Sequence, residues 1–227
     1  MAEKRFKARR AGRTGRPPRE LSGEVDGRIL DAARRVFLER GLAGASMDEI
    51  ASLACAGKPT IYARFPGKQA LFAAVVSCNV DAKLARLKSH APAGANVEDR
   101  LVGVATRRLH WALEDDTIDL MRLGIAEARR FPELAGNVNR MARHRGEEAV
   151  AQLLHDASQF EPTGTLPAFA PERLATTTRF FIDLVFLPLI VRALFGERLE
   201  LLRAQIGSHV AASVAFFLAG CRNGGIN

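Results

Sequence analysis

The stretch SMDEIASLACAGKPTIYARF, residues 46–65, decides the fold. Ser46 and Glu49 stand at capping-box spacing, so the hydroxyl can accept from a free backbone N–H while the carboxylate reaches back to the cap. Met47, Ile50, Ala51 and Ala54 then repeat at helical spacing. Cys55-Ala56-Gly57 is a turn of small residues, and Pro59 suits a first helical position, where a missing N–H costs nothing. The pattern predicts two short helices around a tight turn, the second running from Pro59 to Arg64.

On that second helix Ile61 and Phe65 lie four residues apart and share a face, which points them at a core. Pro59 and Ala63 then face outward, flanked by Thr60 and Tyr62. Small outward residues let a helix approach base edges. The Thr60 and Tyr62 hydroxyls and the Lys58 and Arg64 cations sit where phosphates or bases can be reached. An αα-hairpin that only packs has the same outline, and shape alone leaves both readings open. Upstream, Ile29, Ala32, Ala33, Val36 and Phe37 form the stripe of a supporting helix expected to stop at Gly41, a left-handed cap. Downstream, Pro66-Gly67-Lys68 starts another helix, whose free N–H groups and Lys68 ammonium are expected to bind a phosphate.

Residues 29–72, ILDAARRVFLERGLAGASMDEIASLACAGKPTIYARFPGKQALF, resemble the DNA-binding domain of the TetR/AcrR bacterial transcriptional regulators from end to end. The resemblance rests on Phe37, the Gly41 turn, the helix capped at Ser46, the triplet Thr60-Ile61-Tyr62 and the Phe-Pro-x-Lys entry to the fourth helix. Gly57 stands where that family often has a capping Ser, and Pro59 where it often has Gly; both suit a helix start. Residues 120–135, LMRLGIAEARRFPELA, are similar to a segment of the AefR-like branch. The resemblance implies DNA contacts from Ser46, Lys58, Pro59, Thr60, Tyr62, Ala63, Arg64 and Lys68.

The net charge is +8, and the first twenty residues hold eight cations against Glu3 and Glu20. This arm carries +6 and leaves +2 for the rest. Beside a DNA-reading domain it suggests phosphate contact or minor-groove insertion, with Arg16 in a Gly-Arg-Pro core like that of AT-hooks; a solvated, disordered tail is the alternative. The hydrophobic fraction of 48% is that of a globular chain. The apolar stretches 184–191 and 210–221 fall short of the ~20 residues of a bilayer span, and no secretory signal is present, so a soluble protein is expected, and the resemblance implies a cytoplasmic, nucleoid-associated bacterial one. Three dispersed cysteines without a CxxC suit a reducing compartment and neither a disulfide frame nor zinc.

Beyond the fourth helix, Asn96 with Asp99 marks a new cap and Leu101, Ala105, Leu109 and Ala112 a stripe. Phe131-Pro132, a Pro/Gly-rich loop at 160–170 and Gly196 divide the remaining helices. The last two, 171–195 and 197–219, are more apolar than one core face requires. In the family such a pair forms a four-helix dimer interface, here assigned to Phe180, Phe181, Leu184 and Phe217; the alternative is the central pair of a monomer core. His110, Trp111, Met121 and Met141 are candidates for a ligand cavity or for ordinary core. No GxSxG, HExxH, GxGxxG or GxxxxGK[ST] occurs, and no catalysis, cofactor or metal is expected.

The expectation is an all-α chain: a basic arm (1–22), a three-helix helix-turn-helix DNA-binding domain (23–70), and a larger helical ligand-binding and dimerisation domain (71–227; about nine helices). The resemblance implies a homodimeric repressor of double-stranded DNA, bound to a palindromic operator and released by an apolar or amphipathic small molecule, with no membrane partner. The competing class is a ligand-independent architectural DNA-binding protein.

Overall fold

A computed structural model describes residues 19–88, 94–159 and 166–222. Among them are ten α-helices and one 3-10 turn, with no strand. In order they are α1 (Arg19–Gly44), α2 (Met47–Leu53), α3 (Lys58–Arg64), α4 (Lys68–Lys88), α5 (Val97–Ala112), α6 (Asp115–Glu127), α7 (Pro132–Ser158), the turn Pro167–Phe169, α8 (Pro171–Val185), α9 (Leu187–Leu194) and α10 (Leu199–Arg222).

Two apolar cores organise these helices. The N-terminal core gathers Ile29, Phe37, Ile50, Ile61, Leu71 and Phe72, with Phe37 and Phe72 edge to face at 5.7 Å. It draws on α4 through Val75 and on α6 through Leu120, and α6 also gives Ile118 to the larger core. The larger core is built on α5, α7, α8 and α10, and Phe217 packs against Phe181 at 5.0 Å and Phe169 at 6.2 Å.

Several local expectations are refined. Gly41 has the expected positive φ, but its ψ of 172° lies outside the left-handed helical well, and the chain resumes another helical turn to Gly44. Gly41 is therefore a kink in α1 rather than its end. Ser46 caps α2 by accepting from the Asp48 N–H at 3.2 Å, while Glu49 turns away to Arg40 at 2.7 Å; the capping box is only half formed. Asn96 caps α5 as expected, accepting from the Asp99 N–H at 2.9 Å.

The apolar segment 171–195 is two helices bent by 48°, because Pro188 has no N–H to give and its ring crowds the carbonyl four residues back. Gly196, at φ 95°, makes the next turn. By length and composition α10 could cross a bilayer, a property that the apolar-run reading missed. In the fold its Leu202, Ile206, Val210, Val214, Phe217 and Leu218 pack into the larger core instead. Cys55 and Cys78 are exposed and Cys221 is buried, all three free. Burial pushes the Cys221 thiol up to about 11, which keeps it protonated. Residues 1–18, including Arg16, lie outside the described residues, and residues 19–22, assigned to the arm from sequence, are helical.

Candidate nucleic-acid interface

The helix-turn-helix is held by its inner face and its turn. Ile61 is buried in the core, and Phe65 packs beside it, its N–H donating to the Ile61 carbonyl at 2.8 Å. Cys55 takes a positive φ of 49° in the turn, a backbone state that a side-chain-bearing residue rarely adopts. Gly57 caps α3 through its carbonyl, which accepts from Thr60 at 2.9 Å and Ile61 at 3.2 Å. Pro59 sits in the first turn of α3, though α3 opens one residue earlier, at Lys58.

Packing Ile61 inward leaves Lys58, Pro59, Tyr62 and Ala63 exposed on α3, Tyr62 at 49% of its surface. Thr60 is half-buried. The outward surface is thus small at Pro59 and Ala63 and carries a hydroxyl at Tyr62 and a cation at Lys58. Lys58 also pairs with Asp48 at 2.7 Å, but both partners are more than half exposed, and such a pair exchanges readily for a phosphate. A cleft of about 540 Å³ runs between α1 and α3, lined by Val25, Arg28, Pro59, Thr60 and Ala63 among others.

Two cations expected at DNA are engaged inside the protein. The Arg64 guanidinium pairs with Asp26 of α1 and also reaches the Thr60 carbonyl at 3.4 Å. The Lys68 ammonium donates to the carbonyls of Ala43 at 3.0 Å and Ala45 at 2.8 Å. Those carbonyls lie in the last turn of α1 and just past it, where acceptors lack intrahelical donors, so Lys68 closes α1 and ties it to α4. The sequence reading missed this because Ala43 and Ala45 lie more than twenty residues before Lys68 and only the fold brings them together.

The other expected sites also shift. His110 and Met121 are exposed, and Trp111 and Met141 half-buried. Of the residues assigned to a dimer interface, Phe181 at 0% and Phe217 at 4% exposure lie in the chain's own core. Their spacing on α8 and α10 is that of an inner face, whereas Phe180 (53%) and Phe216 (74%) look outward, with Leu184 half-buried.

The two regions are joined through α6. Arg34 of α1 pairs with Asp116 at 2.6 Å, and Leu120 enters the N-terminal core. From the same helix Arg122 donates to the Ala193 carbonyl at 2.6 Å, at the end of α9. Arg203 of α10 donates to the Leu113 carbonyl at 2.7 Å and pairs with Asp115 at 2.6 Å, and its hydrogen bond holds the Asp115 carboxyl below the usual carboxylate range. Arg192 does the same for Glu197 through their hydrogen bond.

Comparison with known proteins agrees with this architecture. Residues 29–75 match the bacterial regulatory proteins of the tetR family, and residues 99–221 match the C-terminal domain of AefR-like transcriptional repressors. The chain is 30% identical over 161 residues to the HTH-type transcriptional regulator UidR of Escherichia coli, covering 70% of this chain and 76% of that one. It is 42% identical over 80 residues to the HTH-type transcriptional activator FasR of Mycolicibacterium smegmatis, a match to only 36% of that protein. Among solved structures, a TetR-family transcriptional regulator from Mesorhizobium loti superposes with a TM-score of 0.72 at 26% identity, over 89% of this chain and 98% of that one. With a helix-turn-helix matched at one end and a regulator's C-terminal domain over more than half of its length, this chain belongs to the TetR family of DNA-binding transcriptional regulators.

Proposed function

We propose that this regulator is a ligand-responsive repressor that binds a palindromic operator as a homodimer and is released by an apolar or amphipathic small molecule. The observation that carries the dimer is the second half of α10, from Val210 to Leu218, which is apolar on both sides. One face packs into the core, and the other presents Ala212, Ala215, Phe216 and Ala219 to solvent. A helix apolar all round belongs in an interior, and here only another subunit can supply one. Phe180 and Leu187 extend that exposed apolar surface on α8 and α9. A two-fold pairing suits a palindrome, with recognition helices about 34–36 Å apart in successive major grooves.

In this reading α3 enters the major groove with Pro59, Thr60, Tyr62 and Ala63 near base edges and Lys58 at a phosphate. Ser46 holds the start of α2 against the backbone. Arg64 and Lys68 act as struts that fix the angle of α3, and Arg16 in the arm adds a phosphate or minor-groove contact. Repression is favoured by the match to a repressor's C-terminal domain. A small-molecule effector is favoured by a solved neighbour, the flavonoid-responsive regulator FrrA, at 26% identity and a TM-score of 0.62 over 87% of this chain and 97% of that one. The protein works in the cytoplasm, at the nucleoid.

Footprinting on genomic DNA beside analytical ultracentrifugation tests this reading. A discrete two-fold site protected by a dimer supports it. Uniform coverage fits a ligand-independent architectural protein and refutes it. A promoter fusion separates repression from activation.

A further inference from the structure

We propose that Arg107 and Arg108 of α5 anchor the acidic head group of the effector, a carboxylate on an otherwise apolar molecule; the effector reading above is assumed. Arg107 Nε and Nη2 and Arg108 Nη1 are shut off from solvent without a hydrogen-bond partner. Arg107 makes no ion pair or hydrogen bond among the described residues. Among the described residues Arg108 reaches the Gly146 carbonyl of α7, at 3.4 Å, and the ring of Phe186 at the α8–α9 bend, at 5.5 Å. The nearest acidic residues in sequence to Gly146 are spent on their own helix, Glu147 on Arg143 at 3.2 Å and Glu148 on His144 at 3.2 Å.

Buried charge is normally paired. Burial pulls Arg108 down to about 10, still far above neutral, so the group cannot escape by losing its proton. An anion from outside the chain resolves this arrangement. The guanidinium fork fits the two oxygens of a carboxylate, and the stacked Phe186 ring fixes the plane of Arg108 while leaving its edge free. Phe186 belongs to the apolar core with Val104, Phe181 and Leu189, so the body of such a molecule meets hydrocarbon.

Trp111, the only tryptophan, lies one helical turn beyond Arg107 and Arg108 and reports on the site. Decanoate and 4-phenylbutyrate are titrated into the full chain, followed by Trp111 fluorescence and thermal melting, with their methyl esters and inorganic phosphate as controls. At least one acid is expected to give a saturable fluorescence change and to raise Tm by several degrees, its ester having no effect. Arg107→Met with Arg108→Met is expected to weaken that acid about ten-fold or more and to melt higher than wild type without ligand. Arg108→Lys, which keeps the charge and loses the fork, provides a folded variant if the double one fails, and is also expected to weaken the acid. Silence from both acids, esters that bind as well as acids, or unchanged affinity in the variants overturns the proposal. Phosphate binding as tightly as the acids overturns the carboxylate assignment. Operator binding is measured alongside. An acid that binds without loosening DNA sinks the effector reading and leaves the site standing, whereas release by an ester alone sinks the site and leaves the reading.

Discussion

Phe216→Asp decides between the two roles open to α10. Phe216 is 74% exposed in the isolated chain, on the order of 150 Å² of a phenylalanine's roughly 200 Å². At ~25 cal/mol/Å², full burial against a partner removes ~3–4 kcal/mol of unfavourable hydration, and a two-fold interface counts it twice. Allowing half of that for incomplete burial leaves ~3–4 kcal/mol per dimer, or about 10²–10³ in the dimer Kd, before the cost of the buried carboxylates is added. The fold itself should be untouched, because the side chain points away from the core. Phe217→Ala, one residue on, should instead cost ~3–5 kcal/mol of folding stability, since that ring is wedged between Phe169 and Phe181. Sedimentation velocity at micromolar concentration, with anisotropy on operator and random DNA, checks both. Phe216→Asp should sediment as a folded monomer that loses operator affinity far more than nonspecific affinity. If it sediments as a dimer and protects both half-sites, the interface lies elsewhere and the argument from α10 fails.

Lys58→Ala should make the log–log salt dependence of DNA binding shallower by roughly 0.9, one phosphate contact, with melting unchanged; an unaltered slope removes Lys58 from the footprint. Lys68→Ala should do the reverse, keeping the slope and lowering stability by ~1–3 kcal/mol as the Ala43 and Ala45 carbonyls lose their charged donor, read by urea unfolding. Gly41→Ala should destabilise by ~1–3 kcal/mol although a Cβ meets nothing closer than 4.0 Å, because the cost is in the backbone at φ 68°, and a neutral result would show that the kink relaxes. Asp115 and Glu197 are both held below their ordinary carboxylate range by arginine partners, so their contribution is present above the ordinary carboxylate pKa and is lost as pH falls through the depressed one. Acid melts of Asp115→Asn and Glu197→Gln should therefore be flatter than wild type, and parallel curves would disprove the coupling.

The N-terminal region was legible in the sequence because its signals are local. A cap at Ser46, small residues in the turn, a Pro in the first turn of α3 and apolar repeats at Ile50, Ile61 and Phe65 each constrain a few consecutive residues, and the buried set matches them. What escaped depends on distant residues. Arg64 and Lys68 read as exposed cations beside DNA until the fold brings Asp26 and the end of α1 against them. Likewise Phe180 and Phe181, or Phe216 and Phe217, are equivalent as composition; only the registry of α8 and α10 tells which of each pair is inside. The break at Pro188 was available locally and was masked by the apolar run around it. The buried arginines of α5 gave no sequence signal, since Arg107-Arg108 reads as a solvated pair until the packing of α7 and the α8–α9 bend closes over it.

The remaining step is how an event at α5 reaches α3, and the contacts supply a mechanical route. Arg108 lies over Phe186, the hinge residue between α8 and α9. α9 is only eight residues long, and its last carbonyls, Ala193 at 2.6 Å and Leu194 at 3.4 Å, are held by Arg122 of α6. α6 in turn grips α1 through Asp116 and Arg34 and through Leu120 in the N-terminal core. A ligand held by Arg108, with its body against the Phe186 ring, shifts α9 at its bend, and Arg122 converts that shift into a displacement of α6 against α1. Spatial adjacency alone does not establish coupling, so the reasoning has to be tested on Arg122, which touches neither the proposed ligand site nor α3. Arg122→Met keeps most of the side chain's packing and removes the link to α9. Affinity for operator without ligand should stay within about two-fold, while a typical coupling of ~1–3 kcal/mol between ligand and DNA should fall by at least half. Measuring ligand affinity with and without operator gives the same quantity from the other side, because the coupling is reciprocal. Full coupling in Arg122→Met would mean that the message leaves the effector domain by another helix, with α4, tied to α7 through Asp81 and Arg145, the remaining link.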